Sequence, residues 1–320
     1  MKLERIIESK TYLAGRVLET PMLALCSSKI ESSLGLASDV RMKLELFQHV
    51  GSFKARGVLL SINSLSEIEK KFGVIAVSAG NHALAVAWAS KQNNIDAKVL
   101  MPKNADPYRI DGCRSFGANV ILVENAEEAF ELMGVLAEKE NRKIMHPFED
   151  EYMITGAATC GLEMITAMPD MDIAIVPVGG GGLIAGLSAC LKLVNPAVQV
   201  FGVEPYGADS IFKSLTKKQP VKLKEINTIA DSLGAPMALP KTFDLISKNV
   251  SGIVRISDQD MINSMNIIRD KLNLMVEPAC ASSLAALIGP LALTVKRKSV
   301  ALIACGSNIS YEKYRSIIGG

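Results

Sequence analysis

The sequence lacks the features that define several common classes of protein. None of its six cysteines, at positions 26, 113, 160, 190, 280 and 305, forms a C-x-x-C pair, so zinc ribbons and thioredoxin-type chemistry have no support. The formal net charge is only +2, which excludes a global basic field for nucleic acid. The N-terminal segment MKLERIIESK is charged and lacks the apolar centre of a signal peptide. We therefore expect a cytoplasmic protein that binds no nucleic acid and whose cysteines pack as small buried hydrophobes.

The sequence also lacks an uninterrupted apolar run long enough for a membrane span. Residues 173–191 carry no charge and have about the necessary length. Pro177 and four consecutive glycines divide this run into a strand, a loop and a helix, so we expect no membrane segment.

Short apolar runs alternate with segments that have the pattern of helices. The strand-like runs are residues 74–77, 97–101, 119–123, 172–178, 198–203 and 299–304. Such runs separated by helices are typical of parallel sheets covered by helices on both faces. With 320 residues and 49% hydrophobic residues, the chain is long enough for two domains. The predicted fold class is α/β, with parallel sheets flanked by helices.

Polar or glycine-rich turns follow three of these predicted strands. They are Ser78–His82, Gly179–Gly182 and Cys305–Asn308. In open α/β sheets, ligands bind at the carboxyl ends of the strands. The three turns together therefore predict a single ligand site.

The run Gly179–Gly182 precedes a predicted helix. Consecutive glycines let several backbone N–H groups converge on one anion, and the helix N-terminus adds a favourable field, so the run predicts a phosphate site. One alternative is a dinucleotide site, because Gly180, Gly182 and Ala185 fit G-x-G-x-x-A and Glu204 lies 22 residues past Gly182. That alternative, a nicotinamide oxidoreductase, leaves Lys54 unexplained.

Lys54 follows Gly51, Ser52 and Phe53 and comes shortly before a predicted helix of about seventeen residues that starts at Val58. The field of a helix N-terminus, together with burial, lowers the pKa of a lysine and favours the neutral amine that attacks an aldehyde. A phosphate cradle and a reactive lysine in one chain predict the cofactor pyridoxal phosphate.

Asn81 and His82 open the helix after the first predicted strand. An amide and a ring nitrogen at this point can bind a phenolate oxygen or a carboxylate. The alternative is that Ser78 or Asn81 only caps the helix.

Eight segments carry a resemblance to a known family over nearly the whole chain. In order they are KLELFQHVGSFKARGV, SAGNHALAVA, MHPFEDEYMITG, VPVGGGGLIAGL, FGVEP, TIADSL, EPACA and ACGSN. The chain resembles the serine/threonine dehydratase family, which includes the serine racemases and belongs to the second fold type of pyridoxal phosphate enzymes. The resemblance implies a two-domain α/β fold like that of the tryptophan synthase β chain, with a large domain of residues 1–72 and 151–320, a small domain of residues 73–150, and a homodimer.

The resemblance also implies a role for each motif residue. Lys54 is the catalytic residue and bonds to the cofactor aldehyde, Asn81 contacts the cofactor's 3-hydroxyl, and Phe53 packs beside the ring. Cys305 faces the pyridine nitrogen, where the family usually has a serine. The phosphate is held by Gly179, Gly180, Gly181, Gly182 and Leu183, and the substrate by Ser78, Ala79, Gly80, Asn81 and His82.

These roles imply a lyase that converts L-threonine and/or L-serine to 2-oxobutyrate or pyruvate plus ammonia. Ala79 stands where the racemases have a serine that acts as acid and base on the opposite face, so we expect little racemisation. Serine racemase, a dehydratase of another β-hydroxy amino acid such as 3-hydroxyaspartate, and a catalytically silent cofactor-binding protein stay open as alternatives.

Other positions depart from the family pattern. Of the racemases' cation site, Glu204 and the carbonyl of Ala208 are kept, but Ser210 replaces an acid, which weakens a metal site. The family's G-Q-G-T turn is Gly156-Ala157-Ala158-Thr159 here, the glycine of its A-D-G turn is Ser232, and EPACA at 277–281 lacks the usual glycine. Phe148 matches the threonine dehydratases. These departures leave the preferred substrate side chain open.

Overall fold

The structure is a computed structural model that describes residues 1–25, 30–35 and 37–319. Its helices are α1 (Leu3–Leu13), α2 (Lys54–Asn63), α3 (Glu67–Phe72), α4 (Asn81–Gln92), α5 (Pro107–Ser115), α6 (Ala126–Lys139), α7 (Glu151–Ala167), α8 (Gly182–Val194), α9 (Ser210–Lys217), α10 (Pro240–Asn249), α11 (Asp258–Leu272), α12 (Pro278–Ile288) and α13 (Tyr311–Ile318). Its strands are β1 (Met22–Ala24), β2 (Asp39–Lys43), β3 (Val74–Val77), β4 (Ala97–Pro102), β5 (Asn119–Val123), β6 (Lys143–Ile144), β7 (Ile173–Pro177), β8 (Gln199–Pro205), β9 (Gly252–Ile256) and β10 (Ser299–Ile303).

These strands form two sheets. The larger has the order β1-β2-β10-β7-β8-β9 and the smaller the order β5-β4-β3-β6. All neighbouring pairs are parallel except β1 with β2. The predicted α/β class is therefore confirmed. Every strand of the smaller sheet lies within the range predicted for the small domain, while the domain boundaries themselves stay a prediction.

The central strands are buried along their whole length, which explains why their sequences are continuous apolar runs rather than alternating ones. Each residue of β3 and β7 is buried, and so are four of the five residues of β10. The six strands predicted from these runs are all present, with ends within two residues of the prediction. The three site turns follow β3, β7 and β10, as expected.

The helix predicted from Val58 onward is wrong in its extent. Helix α2 starts earlier, at Lys54, and ends at Asn63, and α3 begins only at Glu67. Ser66 ends the continuity because its side chain accepts from the backbone of Glu69, whose carboxylate in turn accepts from the backbone of Ser66. This reciprocal capping box starts a new helix. The earlier start makes Lys54 the first residue of α2.

Two further expectations concern membranes and cysteines. Over the residues that the structure describes, no helix is both long and apolar enough to cross a membrane. The described cysteines are buried and free, and they are Cys113, Cys160, Cys190, Cys280 and Cys305. Cys26 lies outside the described residues.

Candidate active site

The segment before α2 delivers Lys54 to the end of β10. The backbone N–H of Phe53 donates to the carbonyl of Cys305 at 3.2 Å, and Ser52 forms an antiparallel bridge with Gly306. Val50 and Gly51 both have left-handed backbones, with φ of 54° and 66°. That conformation is costly for a β-branched residue and is found where a site requires a particular chain path. It turns the chain so that Lys54 begins the helix beside the Cys305 turn.

The Lys54 amine is surrounded by protein and has no carboxylate partner among its described contacts. Its Nζ donates to the carbonyl oxygen of Pro147 at 2.5 Å and lies 5.1 Å from the centre of the Phe53 ring. Burial lowers the pKa of Lys54 from 10.5 to about 8, and Cys305 opposes this shift. A substantial neutral fraction at physiological pH makes this amine a nucleophile.

Neighbouring residues pack closely against the glycine run after β7, which is partly buried at Gly179 and Gly180 and buried at Gly181 and Gly182. A Cβ at Gly180 would lie 2.2 Å from the Phe148 ring, and one at Gly179 would lie 2.9 Å from the carbonyl of Ser232. Gly181 has φ of +87° and is the N-cap of α8, and no described side chain caps that helix. The first N–H groups of α8 are therefore available to an anion, in a cradle that side chains would fill. Leu183, the second residue of α8, is buried beside them.

Pro147 and Phe148 connect the lysine to this cradle. The carbonyl of Pro147 accepts from Lys54, while the adjacent Phe148 packs its ring against Gly180 and its Cβ and backbone against Gly182. The amine and the glycine loop therefore lie on two sides of one dipeptide. This arrangement can hold a ligand that carries an aldehyde at one end and a phosphate at the other.

The turn after β3 leaves a second helix N-terminus open. Gly80 is the N-cap of α4, and no side chain in the described ranges caps this helix. Ser78 Oγ instead accepts from the N–H of Gly80 at 3.1 Å. The alternative that Ser78 or Asn81 caps α4 is therefore wrong. An uncapped N-terminus next to Lys54 suits a carboxylate.

His82 contributes a neutral ring to this turn. Its Nε2–H donates to the carbonyl of Met145 at 2.8 Å, and burial, helped by the charge of Lys54, lowers its pKa to about 3. His82 Nδ1 and Ser52 Oγ are buried without a hydrogen-bond partner in the described part of the chain. Orphaned polar atoms of this kind are rare in native proteins and mark a place where a ligand or water belongs.

The Asn81 side chain forms hydrogen bonds with two other segments of the site. Its Nδ2 donates to Glu277 Oε1 at 2.7 Å, and its Oδ1 accepts from Asn308 Nδ2 at 2.6 Å. Ser232 Oγ lies 3.5 Å from the same Nδ2. The structure thus brings together three segments that are distant in sequence: the start of α4, the start of α12 and the turn after β10.

Arg109 supports this group from α5. It donates to both oxygens of Asp231, to Glu277 at 3.2 Å and to the backbone carbonyl of Asn308 at 2.6 Å. Burial raises the pKa of Glu277, with Arg109 opposing that shift. Sequence reasoning gave none of these residues a role. Glu277 and Asn308 did lie inside the motifs EPACA and ACGSN, which was the available signal.

Cys305 lies buried at the end of β10, next to Lys54. Burial raises the pKa of its thiol far above the ordinary value, so the group stays protonated and is a weak hydrogen-bond donor. A neutral donor suits a pyridine nitrogen that is not held protonated. Its predicted role beside that nitrogen stays a prediction.

Glu204 and Ala208 do not join this cluster. Glu204 accepts from the backbone N–H groups of Ile211 and Phe212 at 2.9 and 2.8 Å, so it caps α9 with both oxygens. Burial raises the pKa of Glu204 to about 8. No group of three or more His, Cys, Asp and Glu side chains able to hold a metal occurs among the described residues. The contacts of Glu204 also remove the ribose ligand that the dinucleotide alternative requires.

The fold and the site together define a class of enzyme. A nucleophilic lysine, a glycine cradle at a helix N-terminus and a second open N-terminus, arranged at the carboxyl ends of parallel strands, fit pyridoxal phosphate and an amino acid. Residues 15–306 match the family described as pyridoxal-phosphate dependent enzyme. The chain belongs to this family, and its cofactor is pyridoxal phosphate.

Individual relatives narrow the group within the family. The chain is 41% identical over 280 residues to a phenylserine dehydratase of Ralstonia pickettii, covering 88% of this chain and 86% of that protein. It is 36% identical over 317 residues to an L-threonine ammonia-lyase of Thermotoga maritima, covering 99% and 78%. Among solved structures, maize serine racemase superimposes with a TM-score of 0.92 at 30% identity, covering 99% and 97%. The chain is thus an enzyme of the dehydratase and racemase group.

Proposed function

We propose that the protein is an ammonia-lyase that dehydrates and deaminates L-threonine and/or L-serine, giving 2-oxobutyrate or pyruvate and ammonia. The observation that carries the proposal is the bridge of Pro147 and Phe148 between the Lys54 amine and the glycine cradle. The bound cofactor supplies an electron sink that makes the α-proton of an amino acid acidic and the β-hydroxyl a leaving group. The substrates are amino acids, as in the rest of this group.

Lys54 performs the proton transfer. With the cofactor bound, the Lys54 amine would be the general base that removes the proton from the substrate's α-carbon. A pKa of about 8 leaves part of this amine neutral at pH 7. Cys305 contributes a thiol that stays neutral, which favours elimination over transamination because the ring nitrogen is not held protonated.

The N-terminus of α4 binds the substrate carboxylate. Its first N–H groups, from Asn81 to Ala83, precede Leu84, whose N–H is bonded to the carbonyl of Gly80. These donors and the helix field both favour an anion. The neutral ring of His82 does not repel the substrate's ammonium group.

Racemisation is disfavoured by Ala79. The methyl group of Ala79 cannot return a proton to the face of the α-carbon opposite Lys54. We expect D-serine to form from L-serine far more slowly than pyruvate does. Comparable rates of the two products would instead favour serine racemase.

A second candidate substrate is an aromatic β-hydroxy amino acid such as phenylserine. The identity to the phenylserine dehydratase is higher than that to the threonine ammonia-lyase, 41% against 36%. The rings of Phe148 and His146 also form an edge-to-face pair with centres 4.8 Å apart, beside the Lys54 amine. Such a pair offers an aromatic surface on which a phenyl group can pack. 3-Hydroxyaspartate finds no comparable support.

The test is 2-oxo acid formation by the purified protein with L-threonine, L-serine and phenylserine, each followed over time. Lys54→Ala should abolish turnover and the visible absorbance of the bound cofactor. The control Lys248→Ala removes an exposed lysine of α10 and should change neither. Cofactor absorbance without turnover on any of the three would reject the proposed lyase. A cytoplasmic location and a homodimer stay predictions, the latter tested by sedimentation.

A further inference from the structure

The orientation of the Asn81 amide is set by its partners. Asn308 Nδ2 donates to the backbone carbonyl of Val50 at 2.6 Å, and a carbonyl can only accept. The nitrogen end of Asn308 is therefore fixed, and it presents a donor to Asn81 Oδ1 at 2.6 Å. The nitrogen of Asn81 must then point the other way, toward Glu277. The positions of the nitrogen and oxygen in both side-chain amides therefore follow from the Val50 carbonyl, which can only accept a hydrogen bond.

Glu277 is suited to receive that nitrogen. Its carboxylate is fully buried, and it accepts from Asn81, from Arg109 at 3.2 Å and from Ser232 at 3.2 Å. Its Oε1 lies so close to Gly306 that a Cβ there would be 2.6 Å away. The carboxylate thus occupies the space between the Cys305 turn and the Asn81 turn, where it cannot be replaced by water without loss of an ionic partner for Arg109.

One N–H of Asn81 is left over. The amide nitrogen has two donors, and only one is used by Glu277. The second has the long 3.5 Å contact to Ser232 Oγ as its described protein partner, which is at the limit of a hydrogen bond. A ligand oxygen near Asn81 would be a better acceptor for it.

We propose that Glu277 is a positioning residue, which holds the Asn81 amide with its nitrogen toward the cofactor so that Asn81 donates to the cofactor's 3-oxygen. This inference rests on the proposed place of Asn81 in the active site. Donation to that oxygen favours its ionised form, and the balance of ionised and neutral forms determines the visible spectrum of the bound cofactor. Glu277 itself need not touch the cofactor.

Glu277→Gln tests the orientation of the Asn81 amide because it places two hydrogen-bond donors opposite each other. The charged Arg109 takes the oxygen of the newly introduced amide, so that the nitrogen of this amide faces the nitrogen of Asn81. Asn81 cannot rotate without losing Asn308. We expect the holoenzyme, without substrate, to lose much of its long-wavelength absorbance band and to bind pyridoxal phosphate about tenfold more weakly, the size of one hydrogen bond.

The matched control is Asp231→Asn. Asp231 also bonds to Arg109, at 2.8 and 3.2 Å, but makes no described contact with Asn81. This variant removes the same charge beside the same arginine, so its spectrum and cofactor affinity should stay within about twofold of wild type. Asn308→Asp removes the donor to Asn81 Oδ1 and should have the same effect as Glu277→Gln. It keeps the proposal testable if the Glu277→Gln protein does not fold.

Two results overturn the proposal. One is a folded Glu277→Gln or Asn308→Asp protein with the wild-type spectrum and cofactor affinity. The other is Asp231→Asn shifting the spectrum as much as Glu277→Gln, which would indicate a general effect of Arg109. Because these readouts need no turnover, they are independent of whether threonine, serine or phenylserine is the substrate.

Discussion

Two clusters of buried polar and charged residues lie near Lys54, and they differ in how far their side chains are exposed to solvent. The first, which we call the rear cluster, consists of Lys43, Glu45, Arg56 and Glu163. The second, the front cluster, consists of Asn81, Arg109, Asp231 and Glu277. In the rear cluster no ionic side chain is more than 4% exposed, whereas the Asp231 side chain of the front cluster is 36% exposed.

The rear cluster is satisfied internally. Arg56 donates to both oxygens of Glu45 and both of Glu163, and Lys43 donates to Glu163 at 2.6 Å. Burial opposes the ionisation of Glu45, but Arg56, Thr20 and Lys43 together outweigh it and lower the pKa of Glu45. The cluster joins β2, α2 and α7, so it holds the helix that begins at Lys54. The front cluster keeps one donor of Asn81 for a ligand. Buried ion pairs therefore only anchor the fold in the rear cluster, whereas in the front cluster they surround Asn81, the residue that faces the ligand site.

The largest expected effect comes from opening the rear cluster. Arg56→Met leaves Glu45 and Glu163 buried with too little positive charge, and we expect it to lower the free energy of unfolding by about 3–5 kcal/mol. The control Arg114→Met makes the same change in the exposed pair of Arg114 with Asp111. It should cost less than about 1 kcal/mol. Urea denaturation of the two variants measures the difference, and equal losses would contradict the role given to the rear cluster.

The second prediction concerns the hydrogen-bond partners of two buried lysines, Lys43 and Lys54. Unlike Lys43, Lys54 has a backbone carbonyl rather than a carboxylate as its described partner, and burial lowers its pKa to about 8. Only the neutral amine attacks the cofactor aldehyde. The rate at which apoenzyme takes up pyridoxal phosphate, followed by absorbance, should therefore rise with pH to a midpoint near 8. A midpoint near that of a free lysine side chain, about 10.4, would contradict the lowered pKa.

The third prediction tests the helix contact that brings the rear cluster together. A Cβ at Gly156 of α7 would lie 2.4 Å from the backbone of Gly57 in α2, next to Arg56. Gly156→Ala should force the two helices apart and cost about 1–3 kcal/mol of stability. Gly134→Ala in α6 is the control, because a Cβ there meets nothing within 4 Å. It should stabilise by about 0.5–1 kcal/mol. Thermal melts measure both variants. If Gly156→Ala raised the melting temperature as Gly134→Ala does, a close contact between α2 and α7 would be excluded.

The sequence predicted the elements that have a local pattern and missed the contacts between distant residues. The buried strands were predictable because their residues are apolar throughout, as in Val74–Val77. The strands β2 and β9 were missed, since Asp39–Lys43 and Gly252–Ile256 carry charged residues and are only partly buried. Lys54 and the glycine loop were predictable from local spacing. The contacts of Asn81 with Glu277 and Asn308 join residues 196 and 227 positions apart, and no local pattern specifies such a pairing.

The smallest effect is expected from Ser232, a serine where the family usually has glycine. Its Oγ lies 3.2 Å from Glu277 Oε2 and 3.3 Å from Asp231 Oδ1, which share its single hydrogen as acceptors, and 3.5 Å from Asn81 Nδ2, so each contact is long. Ser232→Ala removes only the hydroxyl, and we expect cofactor affinity to change less than about twofold, because Arg109 and Asn81 still satisfy Glu277. Ser232→Gly makes the same change with greater backbone freedom and separates the two causes. Fluorescence titration with pyridoxal phosphate measures both variants. A tenfold loss in Ser232→Ala would mean that the hydroxyl, rather than the carboxylate of Glu277, determines the orientation of Asn81.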